Sequence, residues 1–264
     1  MHFRGIGTAT PAARYNKAQC LAAFESSNWY ARLDTRAHWV TKTVLQRDNG
    51  IESRHLSVAS LDDVFSIDAN TLAQRFIAHA PALAASAAQR ALAQADLTAA
   101  DIDAIVVSTC TGYVCPGLSG YVVELLGLRA DVQTFDLVGQ GCAAALPNLQ
   151  LARALLGTAG CEHVLSVCVE ISSAAMYLDN DPGVLISACL FGDGAGAAVL
   201  SRDPGSNRSV EWTDYASLID PAQRSALMFE QRDGLLRNVL TRAVPALAAD
   251  FAQRVLQTVL ARNG

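Results

Sequence analysis

Residues 3–8 carry a short β pattern that stops at Pro11, and Asn16 stands where a helix reaching about residue 26 begins. A second helical stretch is predicted over 31–47, ending at the turn signal Asp48-Asn49-Gly50. Residues 68–95 are Ala-rich and helical, with a break expected near Pro81, which removes a helical N–H and crowds the preceding turn. From there strands and helices alternate. Strands are predicted at 102–108 and 132–137 around a helix at 120–126, with further strands at 164–169 and 196–201. Gly139-Gln-Gly-Cys142 joins the second of these strands to a helix running to about residue 156. Continuous apolar runs such as Ile105-Val106-Val107 suit strands covered on both faces. The fold class is α/β.

Residues 202–208 form the best linker candidate, dividing the chain into units at 1–202 and 209–264. The second unit offers a strand at 209–217 and a helix at 244–262, with Leu247, Phe251, Val255 and Val259 spaced four apart. One strand and one helix cannot close a sheet, so this unit is incomplete. The helix after Cys142 has only Asn148, Gln150 and Arg153 as polar side chains, and a helix apolar nearly all round is buried on more than one side. It is therefore expected between two layers, of which the residues after 202 are too few to build the second.

Composition narrows the function classes. Hydrophobic residues make up 51% of the 264 and charged ones 17%, ample for a large core. A net charge of −5 and the lack of a dense Lys/Arg cluster argue against nucleic acid as a partner. No apolar signal-peptide core opens the chain, and no apolar run is long enough for a membrane span. The seven cysteines are scattered without a Cys-x-x-Cys pair, which speaks against a disulfide framework or a metal site and for a reducing cytoplasm. Five of them are read as small buried hydrophobes.

Cys142 is the exception. It sits at a strand-to-helix turn behind Gly139 and Gly141, which tolerate a sharp turn and leave room for a substrate. Unpaired N–H groups and the positive end of a helix favour a thiolate there and supply donors for an oxyanion. On spacing alone, a structural cysteine remains an alternative. The Gly-x-Ser-x-Gly elbow of α/β-hydrolases is absent, and only His163 follows Cys142.

The segment Gly139-Gln-Gly-Cys-Ala-Ala-Ala-Leu-Pro-Asn-Leu resembles the active-site segment of type III polyketide synthases, the chalcone and stilbene synthase family. Further matching pieces run in family order: Gly5-Ile-Gly-Thr-Ala-Thr-Pro, Gly50-Ile-Glu-Ser-Arg-His-Leu, Ser108-Thr-Cys-Thr-Gly and Leu125-Leu-Gly-Leu-Arg. Val169-Glu-Ile-Ser-Ser, Leu190-Phe-Gly-Asp-Gly-Ala-Gly-Ala and the stretch from Gln231-Arg-Asp-Gly to Val244-Pro-Ala complete the set. The resemblance implies a thiolase-like layered sandwich, with a complete N-terminal half and only the start of the C-terminal one. It also implies an acyltransferase working as a homodimer. Such an enzyme loads an acyl group from acyl-CoA onto Cys142 and extends it with decarboxylated malonyl-CoA, with no metal or organic cofactor. By position, Cys110, Thr111, Met176 and Asn238 are pocket residues, and Cys115 lies at the tip of a loop that reaches across the dimer. Core packing is the alternative for Cys110, Cys115 and Met176, and a solvated side chain for Asn238. Lys42 and Arg47 lie on the helix that holds CoA phosphates in the family, but out of step, so a solvated helix face is the competing reading.

The family's catalytic triad adds a histidine and an asparagine from its C-terminal half. Neither His2, His38, His55, His79 and His163 nor Asn263 matches those positions, and the family's Gly-Phe-Gly loop has no counterpart. Three expectations follow. The chain is a shortened synthase or one complemented by a C-terminal half from another chain, or it is a remnant or interaction subunit of a full-length condensing enzyme. Another thiolase-fold activity, of ketoacyl synthase or hydroxymethylglutaryl-CoA synthase type, is the third.

Overall fold

The computed structural model describes residues 1–205 and 208–263. It opens with β1 (His2–Ala9), β2 (Arg14–Asn16) and α1 (Lys17–Ser26). Asn16 caps α1 in a reciprocal box with Gln19. The helical stretch expected over 31–47 is divided. A 3-10 turn at Tyr30–Arg32 ends at Leu33, and Asp34 then caps α2 (Thr35–Gln46) by accepting from the Ala37 N–H at 2.7 Å. The short strand β3 (Ser53–His55) follows, paired antiparallel with β2.

Helix α3 (Ala69–Ala95) runs unbroken through Pro81, against the expected break. Pro81 is itself buried, and the helix is packed from Phe76 to Ala95 into one apolar core. That continuous burial outweighs one missing hydrogen bond. The chain continues through β4 (Ala104–Thr109), α4 (Leu118–Leu126), β5 (Gln133–Val138), α5 (Ala145–Leu156) and β6 (His163–Glu170). Next come α6 (Pro182–Leu190), β7 (Gly194–Ser201), β8 (Val210–Glu211), β9 (Leu227–Arg232), β10 (Leu235–Leu240) and α7 (Val244–Asn263).

Six strands form one mixed sheet in the order β5-β4-β6-β7-β1-β8, so β5 and β8 are its edges. β4 runs parallel to β5 and β6, whereas β7 is antiparallel to β6 and β1. α3 and α4 cover one face, over Ile105, Val107, Leu165, Val167 and Val199. Here Gly5 and Gly7 matter for space. A Cβ on Gly5 would lie 2.2 Å from the Ala91 carbonyl oxygen, and one on Gly7 2.1 Å from that of Ala87. Strand and helix backbones therefore pack directly on each other, with the alanines of α3 completing the contact. α5 covers the other face, its Ala152, Leu155 and Leu156 meeting Ala104, Val106, Val164 and Leu200. α1, α2 and α6 enclose a separate core around Phe24, Leu56 and Leu185.

One expectation is corrected here. The strand expected at 209–217 is only two residues long and pairs with β1 at the edge of the main sheet, rather than opening a sheet of its own. Two of the linker residues, Ser206 and Asn207, lie outside the described residues, as does Gly264. α5 is covered on one side only: Ala144, Asn148, Ala152, Leu155 and Leu156 are buried, but Leu146 is 55% exposed. The far face is apolar as the sequence indicates, with no second layer against it among the described residues. Each large side chain left uncovered forgoes about 1.5–3 kcal/mol of burial.

The end of the sheet away from the C-termini of the parallel strands is held by Asp103. Its carboxylate accepts from the Glu162 N–H at 2.8 Å and the His163 N–H at 3.0 Å, and pairs with Arg129 at 3.1 Å. Burial pushes this carboxyl up, but those N–H donors and the guanidinium together hold it below its ordinary value of 3.8. A depressed carboxyl stabilises the fold above its unfolded value, and that contribution is lost as pH falls through the folded one. Asp103→Asn is thus expected to cost about 2 kcal/mol at pH 7 and to flatten the loss of stability below about pH 4. Urea midpoints measured from pH 7 to pH 2.5 check it.

Candidate active site

The parallel strands β4, β5 and β6 end at one edge of the sheet, the side on which open α/β sheets bind ligands. Three segments meet there: Thr109-Cys110-Thr111 after β4, Gly139 to Cys142 after β5, and Glu170 at the end of β6. The Gly139 N–H donates to the Thr109 carbonyl at 3.3 Å and so ties the second segment to the first. Gly139 at φ +80° and Gly141 at φ +71° take left-handed conformations that other residues adopt at a cost. Their turn delivers Cys142 into a 3-10 turn, Gly141–Ala143, just ahead of α5. The side chain of Cys142 is exposed. N–H groups at the head of such a turn lack intrahelical acceptors.

Asn148 fixes the helix behind the cysteine. Its amide donates to the Val106 carbonyl at 3.1 Å, the Ser108 hydroxyl at 2.8 Å and the Val167 carbonyl at 3.1 Å, and accepts from the Ser166 hydroxyl at 2.7 Å. One fully buried side chain thus joins α5 to two strands. Asn148→Ala leaves buried polar groups unpaired on both strands and is expected to lower stability by about 2–4 kcal/mol. A chemical-denaturation midpoint compared with the parent protein checks this.

Glu170 organises the β4 loop. Its carboxylate accepts from the N–H groups of Cys110 and Thr111, each at 3.0 Å, and from the hydroxyls of Thr111 at 2.6 Å and Thr109 at 3.2 Å. The Thr111 hydroxyl also accepts from the Ile171 N–H at 2.9 Å. Burial, and then the Glu170 charge, push the Cys110 thiol far up, with Cys142 near enough to add to the effect. Cys110 is therefore held as a neutral thiol. In the sequence Glu170 is marked only as a carboxylate closing an apolar strand.

An open cleft adjoins Thr111 at this edge. Thr111, Met176 and Asn238 line it together, whereas neither Cys110 nor Cys142 is among its lining residues. Asn238 is not a free solvated side chain: its amide donates to the Ser187 hydroxyl on α6. Phe229, opposite Asn238 in the β9–β10 hairpin, also reaches the cleft. Arg237 fastens that hairpin, pairing with Asp179 at 2.8 Å, Glu230 at 3.2 Å and Asp181 at 3.4 Å. Lys42 pairs with Glu25 at 3.1 Å on an exposed helix face, and Arg47 ends α2 in solvent. Neither lines the cleft.

His163 stands at the start of β6, with Nδ1 at 2.7 Å from the Ser201 hydroxyl. Seven residues of extended strand, about 23 Å, separate it from Glu170. It cannot serve Cys142. Among the described residues no group of three or more His, Cys, Asp or Glu side chains is placed to hold a metal, and no helix is long and apolar enough to cross a membrane.

The family model of FAE1/type III polyketide synthase-like proteins matches residues 11–216. Bisdemethoxycurcumin synthase of Oryza sativa subsp. japonica is 32% identical over 95% of this chain and 65% of its own. The alpha-pyrone synthesis polyketide synthase-like Pks18 of Mycobacterium tuberculosis is 29% identical over 89% of this chain and 59% of its own. The chain thus spans less than two thirds of the length of these curated relatives. Among solved structures, PKS-I from the brown alga Ectocarpus siliculosus superimposes with a TM-score of 0.88 at 21% identity, over 99% of this chain and 72% of that one. The 1,3,6,8-tetrahydroxynaphthalene synthase of Streptomyces coelicolor A3(2) gives 0.82 at 21% identity, over 97% and 74%. These superpositions establish the layered α/β fold.

Proposed function

The chain belongs to the FAE1/type III polyketide synthase-like family, and on that premise we propose that Cys142 accepts an acyl group from a CoA thioester as the first step of polyketide synthesis. The observation that carries this reading is an exposed cysteine on a left-handed glycine turn at the open ends of parallel strands, where Thr111 of the adjoining segment lines a cleft. In the step, Cys142 Sγ attacks the thioester carbonyl carbon and a new S–C bond forms. The bond to the CoA sulfur breaks, and the Cys142 proton leaves with the CoA thiol. N–H groups at the head of the Gly141–Ala143 turn are the candidate donors to the oxyanion. The acyl chain then lies along Thr111, Met176 and Asn238, with Cys110 as a neutral wall beside the thioester.

Loading needs neither metal nor organic cofactor. Extension with malonyl-CoA calls for the imidazole and amide that the family carries in its C-terminal half. In this reading those groups come from a partner within a homodimer or from a complementing segment. Exposed free thiols at Cys115 and Cys142 suit a reducing, cytoplasmic setting.

The test is incubation of the protein with an acyl-CoA, followed by peptide mass spectrometry. A mass gain equal to the acyl group on the Cys142 peptide, removable by neutral hydroxylamine, is expected. Acylation elsewhere with Cys142 unmodified would overturn the assignment.

A further inference from the structure

Arg237 is buried and does not line the cleft, yet the segments it joins are segments that do. Its guanidinium turns each nitrogen to a different carboxylate: Nε to Asp179 at 2.8 Å, Nη1 to Glu230 at 3.2 Å and Nη2 to Asp181 at 3.4 Å. Each carboxylate stands close in sequence to the cleft. Asp179 follows Met176 and Tyr177, Asp181 caps the α6 helix that carries Ser187, and Glu230 follows Phe229 in β9. Asp181 uses both oxygens, one accepting from the Gly183 N–H at 2.8 Å to start α6 and the other meeting Arg237. Among the described residues β9 and β10 pair only with each other, so no backbone ladder ties the hairpin to the main sheet. Besides Arg237, the Asn238 amide donates to Ser187, and the Leu240 backbone lies against Gly183, where a Cβ would come 2.6 Å from the Leu240 carbonyl oxygen. Arg232, exposed in the same hairpin, pairs with Glu230 at 2.9 Å, which leaves the two aspartates to Arg237.

We propose that Arg237 is a positioning residue that sets the width of the acyl cleft. It holds the Met176 segment, α6 and the β9–β10 hairpin at a fixed spacing, and so limits the bulk of the acyl group that Cys142 accepts. The inference rests on the acyl-loading reading above. A planar guanidinium serves several carboxylates in fixed directions, whereas an ammonium is a point charge without that fork. With no cation at residue 237, Asp179, Asp181 and Glu230 would repel one another where the three walls meet. Phe229 and Asn238 would then move away from Met176 and Ser187, and the cleft would widen. A width set in this way acts on bulky acyl groups and leaves small ones, which do not fill the cleft, almost untouched. Arg237 acts through its neighbours and touches no acyl atom itself.

The experiment follows adduct formation on Cys142 from acetyl-CoA and from benzoyl-CoA, in the full chain and in its Arg237→Gln and Arg237→Lys variants. The ratio of second-order rate constants, benzoyl over acetyl, is expected to rise about tenfold in Arg237→Gln, the scale on which a pocket's fit to one or two carbons discriminates. The rise should come from a lower half-saturating concentration of benzoyl-CoA, with the saturating rate of acetyl transfer within about twofold of the parent's. General loss of structure would instead depress both substrates together. Arg237→Lys keeps the charge and thereby the fold, and its expected rise of about threefold decides the matter even where Arg237→Gln does not fold. Adducts in the parent and in Arg237→Lys, with a ratio that falls or stays within about twofold of the parent's, would overturn this inference alone. A parent protein left unmodified at Cys142 by both thioesters would overturn the loading reading, and this inference with it.

Discussion

Replacing Cys142 by alanine is expected to lower acyl transfer from a CoA thioester at least about 10³-fold, as removal of a nucleophile does in other covalent enzymes. The side chain is exposed and Ala occupies the same turn, so the thermal midpoint should move little, within about 0.5 kcal/mol of stability. Released thiol and the covalent adduct measure the first quantity; a denaturation curve measures the second. Cys110→Ser is the informative companion. Its neutral thiol is not the attacking group, so acylation of Cys142 should persist in that variant. An adduct that survived Cys142→Ala and vanished with Cys110→Ser would reverse the two assignments.

The largest stability effect is expected at Gly7. A side chain there meets the backbone of α3, which cannot yield as a flexible side chain can, so Gly7→Val should cost about 3 kcal/mol or more. Gly196 provides the control. It lies opposite Thr8 across the β1–β7 ladder, yet a Cβ on it would meet nothing within 4 Å. Gly196→Ala should be neutral or stabilising by about 0.5 kcal/mol, since alanine has less freedom to lose on folding. Equal urea midpoints for the two variants would show that β1 and α3 are not in the contact described.

Much of this was legible in the chain. The alternating strands and helices from residue 102 to 201 lie close to where their patterns place them, because buried strands must be apolar and turns must hold glycine. The misses have local causes. Asp34 divides the second helix because its carboxylate caps α2, and Pro81 fails to break α3 because packing along the helix overrides the local rule. α6 went unread although Asp181-Pro182 is a helix-start signal, its side chain accepting from the Gly183 and Val184 N–H groups. The β9–β10 hairpin turns at Asp233-Gly234, both at positive φ, a dipeptide that signals such turns.

At the site, Cys142 was readable from glycine spacing and family resemblance together. Thr111, Met176 and Asn238 line one cleft, a grouping that periodicity alone does not show. Glu170, Ser187 and Phe229 were not assigned roles, because their part depends on which strand ends and hairpin the topology brings together. Asn148 was visible only as one polar residue on an apolar helix. Its hydrogen bonds to two strands are a tertiary fact.

The edge position of β5 gives the two halves of the site different stiffness. Thr109 to Thr111 leave a strand paired on both sides, and Glu170 clamps them at several points. Cys142 instead hangs from a strand that is paired on one side only among the described residues, and Asn148 restrains it only from the helix behind. Opening of β5 would carry the nucleophile with it while the Cys110 wall stayed in place. Amide hydrogens from 133 to 142 should therefore exchange with solvent before those from 104 to 111, and whatever docks along that edge would set how steadily the sulfur is aimed.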